Sequence, residues 1–190
     1  MRLFIAIDID QKTKDALVQL QQKILNRVNI RKTDVKWVDP ESTHLTLKFL
    51  GDVRDEEIAP VCDVVKDVAG RFKSFELGFE QVGSFGGRRA RVLWVGTAGG
   101  TELLSKLQAE LENELARIGL AAEAREFAGH LTLCRIRNPK AGLKLAEVSK
   151  NYKNFKLSTI PVDSVVVYQS ELKPDGPVYT RLANYKLCEP

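Results

Sequence analysis

The sequence predicts an α+β protein with a bilobal, duplicated fold: two mostly antiparallel sheets with outer helices around a central cleft, related by pseudo-twofold symmetry. Three observations carry this prediction. The tetrapeptide His-Leu-Thr-Leu occurs twice, at 44–47 and 130–133, and contains both histidines of the 190-residue chain. Each copy lies in the same place in one of two runs that read strand, helix, HLTL strand, helix, strand. Short alternating strands interleaved with amphipathic helices favour sheets with helices on their outer sides. A chance repeat of the three residues after histidine has odds of roughly one in a few thousand. No linker-like stretch separates the runs, so residues 1–190 are read as one domain of two intertwined lobes.

The first run opens with an apolar strand at 2–8 (RLFIAID). A helix over 11–27 follows, with Asp10 as N-cap and Leu17, Leu20 and Ile24 as its buried stripe. A short strand at 35–38 leads through Pro40 to the first HLTL strand at 43–49, which Gly51 and Asp52 turn. Ile58, Val61, Cys62, Val65 and Val68 recur at helical spacing, giving a helix over 55–69 with Gly70 as its C-cap and a return strand at 75–82. A turn rich in glycine and arginine, SFGGRRA, separates the runs. The second run begins with a strand at 91–97 and a helix capped by Thr101, with Leu104, Leu107, Leu111, Leu115 and Ile118 along one face and Gly119 at its end. The second HLTL strand covers 130–136. A helix near 142–150 and strands at 161–169 and 177–183 complete the chain.

Composition excludes several function classes. With 44% hydrophobic and 28% charged residues the chain is neither disordered nor fibrous. No run of eighteen apolar residues exists to span a bilayer, and Asp8 and Asp10 interrupt the N-terminal apolar stretch before it reaches signal-peptide length. A cytoplasmic, membrane-free protein is expected. Three cysteines, Cys62, Cys134 and Cys188, without close spacing suit neither a disulfide framework nor a zinc knuckle. The formal charge of +4 allows an anionic ligand without requiring one.

Chemistry concentrates in the two tetrapeptides. On a strand, His44 and Thr46 share one face and Leu45 and Leu47 the other, and His130 and Thr132 repeat this against Leu131 and Leu133. If the leucines anchor each strand in the core, an imidazole and a hydroxyl project together from each lobe. Imidazole titrates near pH 6.5, so one copy can take a proton while the other gives one. In-line attack on a phosphate diester needs that pair, and the threonine hydroxyls suit the non-bridging oxygens where charge accumulates. Neither a metal nor another cofactor is required: two histidines lack a third ligand at recognisable spacing.

At these residues the chain resembles the 2H phosphoesterase superfamily, whose signature is two H-x-T-x motifs. The phrases MRLFIAID, KWVDPESTHLTLKFLGDV, RVLWVG, HLTLCRIR and YQSELKPDGPVYTRLANYKL are similar, in order, to the RNA 2′,3′-cyclic phosphodiesterase family, also called 2′-5′ RNA ligases. The resemblance covers essentially the whole chain. It implies hydrolysis of RNA 2′,3′-cyclic phosphate ends, tRNA fragments among them, to 2′-phosphomonoesters, with 2′-5′ ligation as a weak side activity. By the family's roles His44 is the proton donor and His130 the proton acceptor, while Arg135, just after the second motif, contacts the phosphate. Arg135 lies on the leucine parity of its strand, so a bulge or the strand's end must turn it toward the site.

Lys48, on the parity of His44 and Thr46, and Arg88 and Arg89 in the central turn are candidate RNA contacts, with Arg91 and Lys36 on the same electrostatic rim. Trp37 and Phe49 are candidates to stack a terminal base. Two other readings stay open from the residues alone: action on a different diester such as 2′-5′ oligonucleotides, or an RNA-end-binding module without turnover. A site built inside one chain needs no partner copy, and a monomer is expected.

Overall fold

The alternating and apolar runs become nine strands and four helices in the computed structural model, which describes residues 1–174 and 176–189. In chain order they are β1 (Arg2–Asp8), α1 (Gln11–Leu25), β2 (Val35–Trp37), β3 (His44–Asp52), α2 (Asp55–Ala69), β4 (Phe75–Phe85), β5 (Val92–Thr97), α3 (Thr101–Arg117), β6 (His130–Ile136), α4 (Pro139–Ser149), β7 (Lys156–Val162), β8 (Ser164–Lys173) and β9 (Gly176–Lys186). Asp10 caps α1 as its type predicts, its carboxylate accepting from the Thr13 N–H at 2.8 Å. At α3 the expectation fails by one position. The N-cap is Gly100, at φ 88°, where a side chain would collide with the Glu76 carbonyl. Ile118, placed on the apolar stripe of α3, falls beyond the helix and is exposed.

The strands form two antiparallel sheets, ordered β3-β1-β8-β9 and β2-β6-β5-β4-β7. The stretch expected as a single strand at 161–169 is in fact divided. β7 pairs with β4 in the second sheet, β8 pairs with β1 in the first, and Asp163 alone lies between them. An apolar run cannot reveal such a crossing, because Val162 on one side of it and Val165, Val166 and Val167 on the other are all buried.

The two runs, β1-α1-β3-α2-β4 and β5-α3-β6-α4-β8, follow one order and exchange their last strands. β4 joins the sheet of β5 and β6, and β8 joins that of β1 and β3. Helices α2 and α3 pack on each other, with α2 against β8 and β9, while α1 lies on β7 and α4 on β4, β5 and β6. One cluster of buried side chains runs through both sheets and all four helices, including Leu45, Leu47, Leu131 and Leu133. Each such leucine contributes roughly 1.5–3 kcal/mol by burial, enough to fix which face of each HLTL strand turns inward. Among the described residues, no helix is long and apolar enough to cross a membrane.

Candidate active site

The same irregularity interrupts both HLTL strands. In the pairing of β1 with β3, Ile5 faces Lys48 and Ala6 faces Thr46, so Leu47 is left as a bulge. In the pairing of β5 with β6, Leu93 faces Cys134 and Trp94 faces Thr132, so Leu133 is left as a bulge. A bulge of one residue inverts the parity of everything after it. Lys48 and Cys134 therefore turn into the core, and Phe49 and Arg135 turn outward into a cavity of about 590 Å³. This is how Arg135 reaches the cleft despite its place in the sequence. On the other edge of β6, the Leu133 carbonyl continues the register with β2, accepting from the Val38 N–H at 3.0 Å and from Gln21 Nε2 at 3.3 Å.

His44, Thr46, His130, Thr132 and Arg135 all line that cavity. His44 Nδ1 lies 3.1 Å from the Ser42 carbonyl, and His130 Nδ1 lies 2.7 Å from the Ala128 carbonyl. A carbonyl can only accept, so each Nδ1 carries the hydrogen and each Nε2 is left for chemistry. Burial holds both imidazoles below the ordinary histidine value, opposed in each case by that carbonyl bond. The remaining influences differ in sign: the Asp8 carboxylate draws His44 upward, and the Arg135 guanidinium pushes His130 further down.

Aromatic side chains hold the rings. Phe4 stacks on His44 with centroids 4.6 Å apart, and Tyr179 meets it edge-on at 5.1 Å. On the other lobe, Phe85 meets His130 edge-on at 5.0 Å. Trp94, cross-strand from Thr132, lies over two glycines: a Cβ at Gly83 would overlap its ring, and one at Gly96 would come within 3.0 Å. Composition and spacing assign no role to Phe4, Trp94, Tyr168 or Tyr179. Phe4 was within reach, since Phe4, Ala6 and Asp8 alternate against Leu3, Ile5 and Ile7; the tyrosines become visible only once β8 is known to sit beside β1.

Lys48 is a correction. Expected beside His44 and Thr46 as an RNA contact, it is 5% exposed on the opposite face, because the Leu47 bulge intervenes. Its Nζ donates to Glu112 Oε1 at 2.6 Å and to the Ala121 carbonyl at 2.9 Å, and the same carboxylate oxygen takes the Glu123 N–H. The pair ties β3 to α3 and to the loop leading into β6. Lys48→Ala leaves the Glu112 carboxylate without its cation and is expected to cost about 3 kcal/mol, read from denaturant unfolding.

Trp37 and Phe49 line the cavity, with Lys36 and Arg2 beside them; Phe49 gets there through the Leu47 bulge and is 65% exposed. Arg88 and Arg89 are exposed on the turn between β4 and β5 and do not line this cavity. Among the described residues, no three His, Cys, Asp or Glu side chains gather where they could hold a metal ion.

Comparison with known proteins gives this geometry a family. The model of the LigT like Phosphoesterase family matches twice, over residues 7–94 and 95–179, one match to each run. The RNA 2′,3′-cyclic phosphodiesterase of Methanothermobacter thermautotrophicus is 33% identical over 98% of this chain and 99% of its own length. The fold is similar to that of TT0787 of Thermus thermophilus, with a TM-score of 0.78 and 26% identity over 100% of this chain and 99% of that one. It is about as similar to E. coli LigT complexed with 3′-AMP, with a TM-score of 0.77 and 26% identity over 98% and 97% of the two chains.

Proposed function

The chain belongs to the LigT-like phosphoesterase family, and from that premise we propose that it hydrolyses RNA 2′,3′-cyclic phosphate ends to 2′-phosphomonoesters, with His44 as proton donor and His130 as proton acceptor. One observation carries the reading: two imidazoles from equivalent strands line one cavity with each Nδ1 held by a backbone carbonyl and each Nε2 left for proton transfer. Support also comes from the activity that names the Methanothermobacter relative and from the nucleotide bound to E. coli LigT.

In this reaction His130 Nε2 takes a proton from water as the water oxygen bonds to phosphorus. The bond from phosphorus to O3′ breaks, and His44 Nε2 delivers its proton to that oxygen, leaving a 3′-hydroxyl and a 2′-phosphate. Arg135 and the hydroxyls of Thr46 and Thr132 hold the non-bridging oxygens, where charge grows in the transition state. His130 suits the base, because burial and the Arg135 charge keep it neutral below the ordinary imidazole range. Side chains supply every proton and countercharge in this scheme, which makes it metal-independent. A 5′-hydroxyl in place of water would form a 2′-5′ bond by the same steps, and water, being abundant, makes hydrolysis dominant.

An oligonucleotide ending in a 2′,3′-cyclic phosphate is expected to be opened in EDTA at an undiminished rate, with phosphorus NMR showing the product phosphate on O2′. A 3′-phosphate product would reverse the donor assignment, and substrate left intact with and without metal would overturn the reaction.

A further inference from the structure

The two lobes repeat each other's histidine, threonine and bulge but differ in what stands beside the histidine. Asp8 on β1 is cross-strand from His44, whereas Gly96 on β5 is cross-strand from His130. A side chain at Gly96 would press on Trp94, so a matching carboxylate in the second lobe would have to displace that ring. Asp8 is itself held from two sides. Tyr168 donates its hydroxyl proton to Asp8 Oδ1 at 2.6 Å, Arg181 Nε donates to that hydroxyl at 3.0 Å, and an Arg181 terminal nitrogen reaches Asp8 Oδ2 at 2.5 Å. Tyr168 also stacks on Phe4, which in turn stacks on His44. The anion, its two donors and the imidazole thus form one packed unit on the face of the first sheet.

Resting on the reaction proposed above, we propose that Asp8, fixed by Tyr168 and Arg181, is the positioning residue that biases the shared proton toward His44 and so makes it the acid, while His130 serves as the base. Two equivalent imidazoles would carry a shared proton on either ring equally often, so only half of the singly protonated molecules would hold it on the acid. The charged and titratable groups around His44 are few. Asp8 comes from β1, Tyr168 from β8, Tyr179 and Arg181 from β9, and the Lys14–Glu41 ion pair from α1 and the turn before β3. The same cleft is lined by Arg2, Lys36 and Asp39 and, across from His44, by His130 and Arg135, and of all these groups Asp8 is the one whose charge is felt at His44. Burial raises both tyrosines, Tyr168 to about 12, so they stay neutral at the working pH. Lys14 and Glu41 offset each other. Asp8 is then the anion that favours imidazolium at His44, and the direction of its influence there is upward.

Because the chain holds only two histidines, proton NMR titration can follow both imidazoles without any substrate, with His44→Ala and His130→Ala assigning the signals. Asp8→Asn is expected to lower the His44 midpoint and leave His130 in place. Arg181→Gln removes the opposing cation and is expected to move His44 the other way. The alkaline limb of kcat/KM on a cyclic-phosphate oligonucleotide, where the acid loses its proton, should shift down in the first variant and up in the second. Opposite shifts are something a merely structural role would not produce. An unchanged His44 midpoint in Asp8→Asn, or an equal shift at His130, overturns the proposal. If Asp8→Asn does not fold, Arg181→Gln decides alone: a His44 midpoint that does not rise counts against the proposal. An inactive wild type with the expected titrations would overturn the reaction and leave the Asp8 pairing standing.

Discussion

Replacing His44 or His130 by alanine is expected to lower kcat on a cyclic-phosphate oligonucleotide by about 100- to 10,000-fold, because each removes one of the two proton transfers. The fold should survive. Both rings lie on the cleft faces of β3 and β6, while the leucines on the opposite faces carry the burial. His44→Ala gives up its stacking on Phe4, worth about 1 kcal/mol, a few degrees of Tm at most. The two losses should not add. Once one transfer is gone the concerted path is lost, and the double variant should be about as slow as the slower single one, with the remaining rate reflecting phosphate binding by Arg135 and the threonines. Circular dichroism melting beside single-turnover kinetics checks both halves, and near-wild-type turnover in either variant would remove the acid–base pair.

Legibility in the sequence followed the reach of each physical signal. The HLTL words exposed the histidines, the threonines and the duplication, because period-two alternation and repetition are local. The strand exchange was not local: β4 and β8 carry the composition of ordinary strands, and nothing in them says which sheet they join. The bulges at Leu47 and Leu133 lay between these cases. A leucine followed by Lys48 or by Cys134 does not announce that a residue has dropped out of register, so parity placed Lys48 in the cleft and Arg135 out of it. Resemblance put Arg135 at the phosphate where parity could not. Lys48 had no such second signal, and its burial with Glu112 depends on residues 64 positions away. In the sequence Asp8 stands out only as an interruption of an apolar strand, since its partner Tyr168 stands 160 residues further on.

Arg135→Ala is expected to lower kcat/KM by about 100- to 1000-fold, the scale found when one donor to a developing oxyanion is removed. Its position makes it more than a surface charge. The bulge at Leu133 points it into the cavity, and its charge is felt both by His130 on its own strand and by Tyr179 from the opposite lobe. Arg135→Lys keeps the charge but not the planar fork that bonds two phosphate oxygens, so it should recover only part of the loss. The pH profile separates binding from catalysis. Removing a positive charge beside His130 raises its pKa, so Arg135→Ala should move the acidic limb of kcat/KM to higher pH, whereas Arg135→Lys leaves it nearly in place. Thr132→Val, which deletes a neutral donor on the same strand, should lower the rate without moving that limb. If Arg135→Ala changed KM alone and left the limb fixed, the guanidinium would be acting on the RNA outside the reacting phosphate, and the bulge would serve binding and not the transition state.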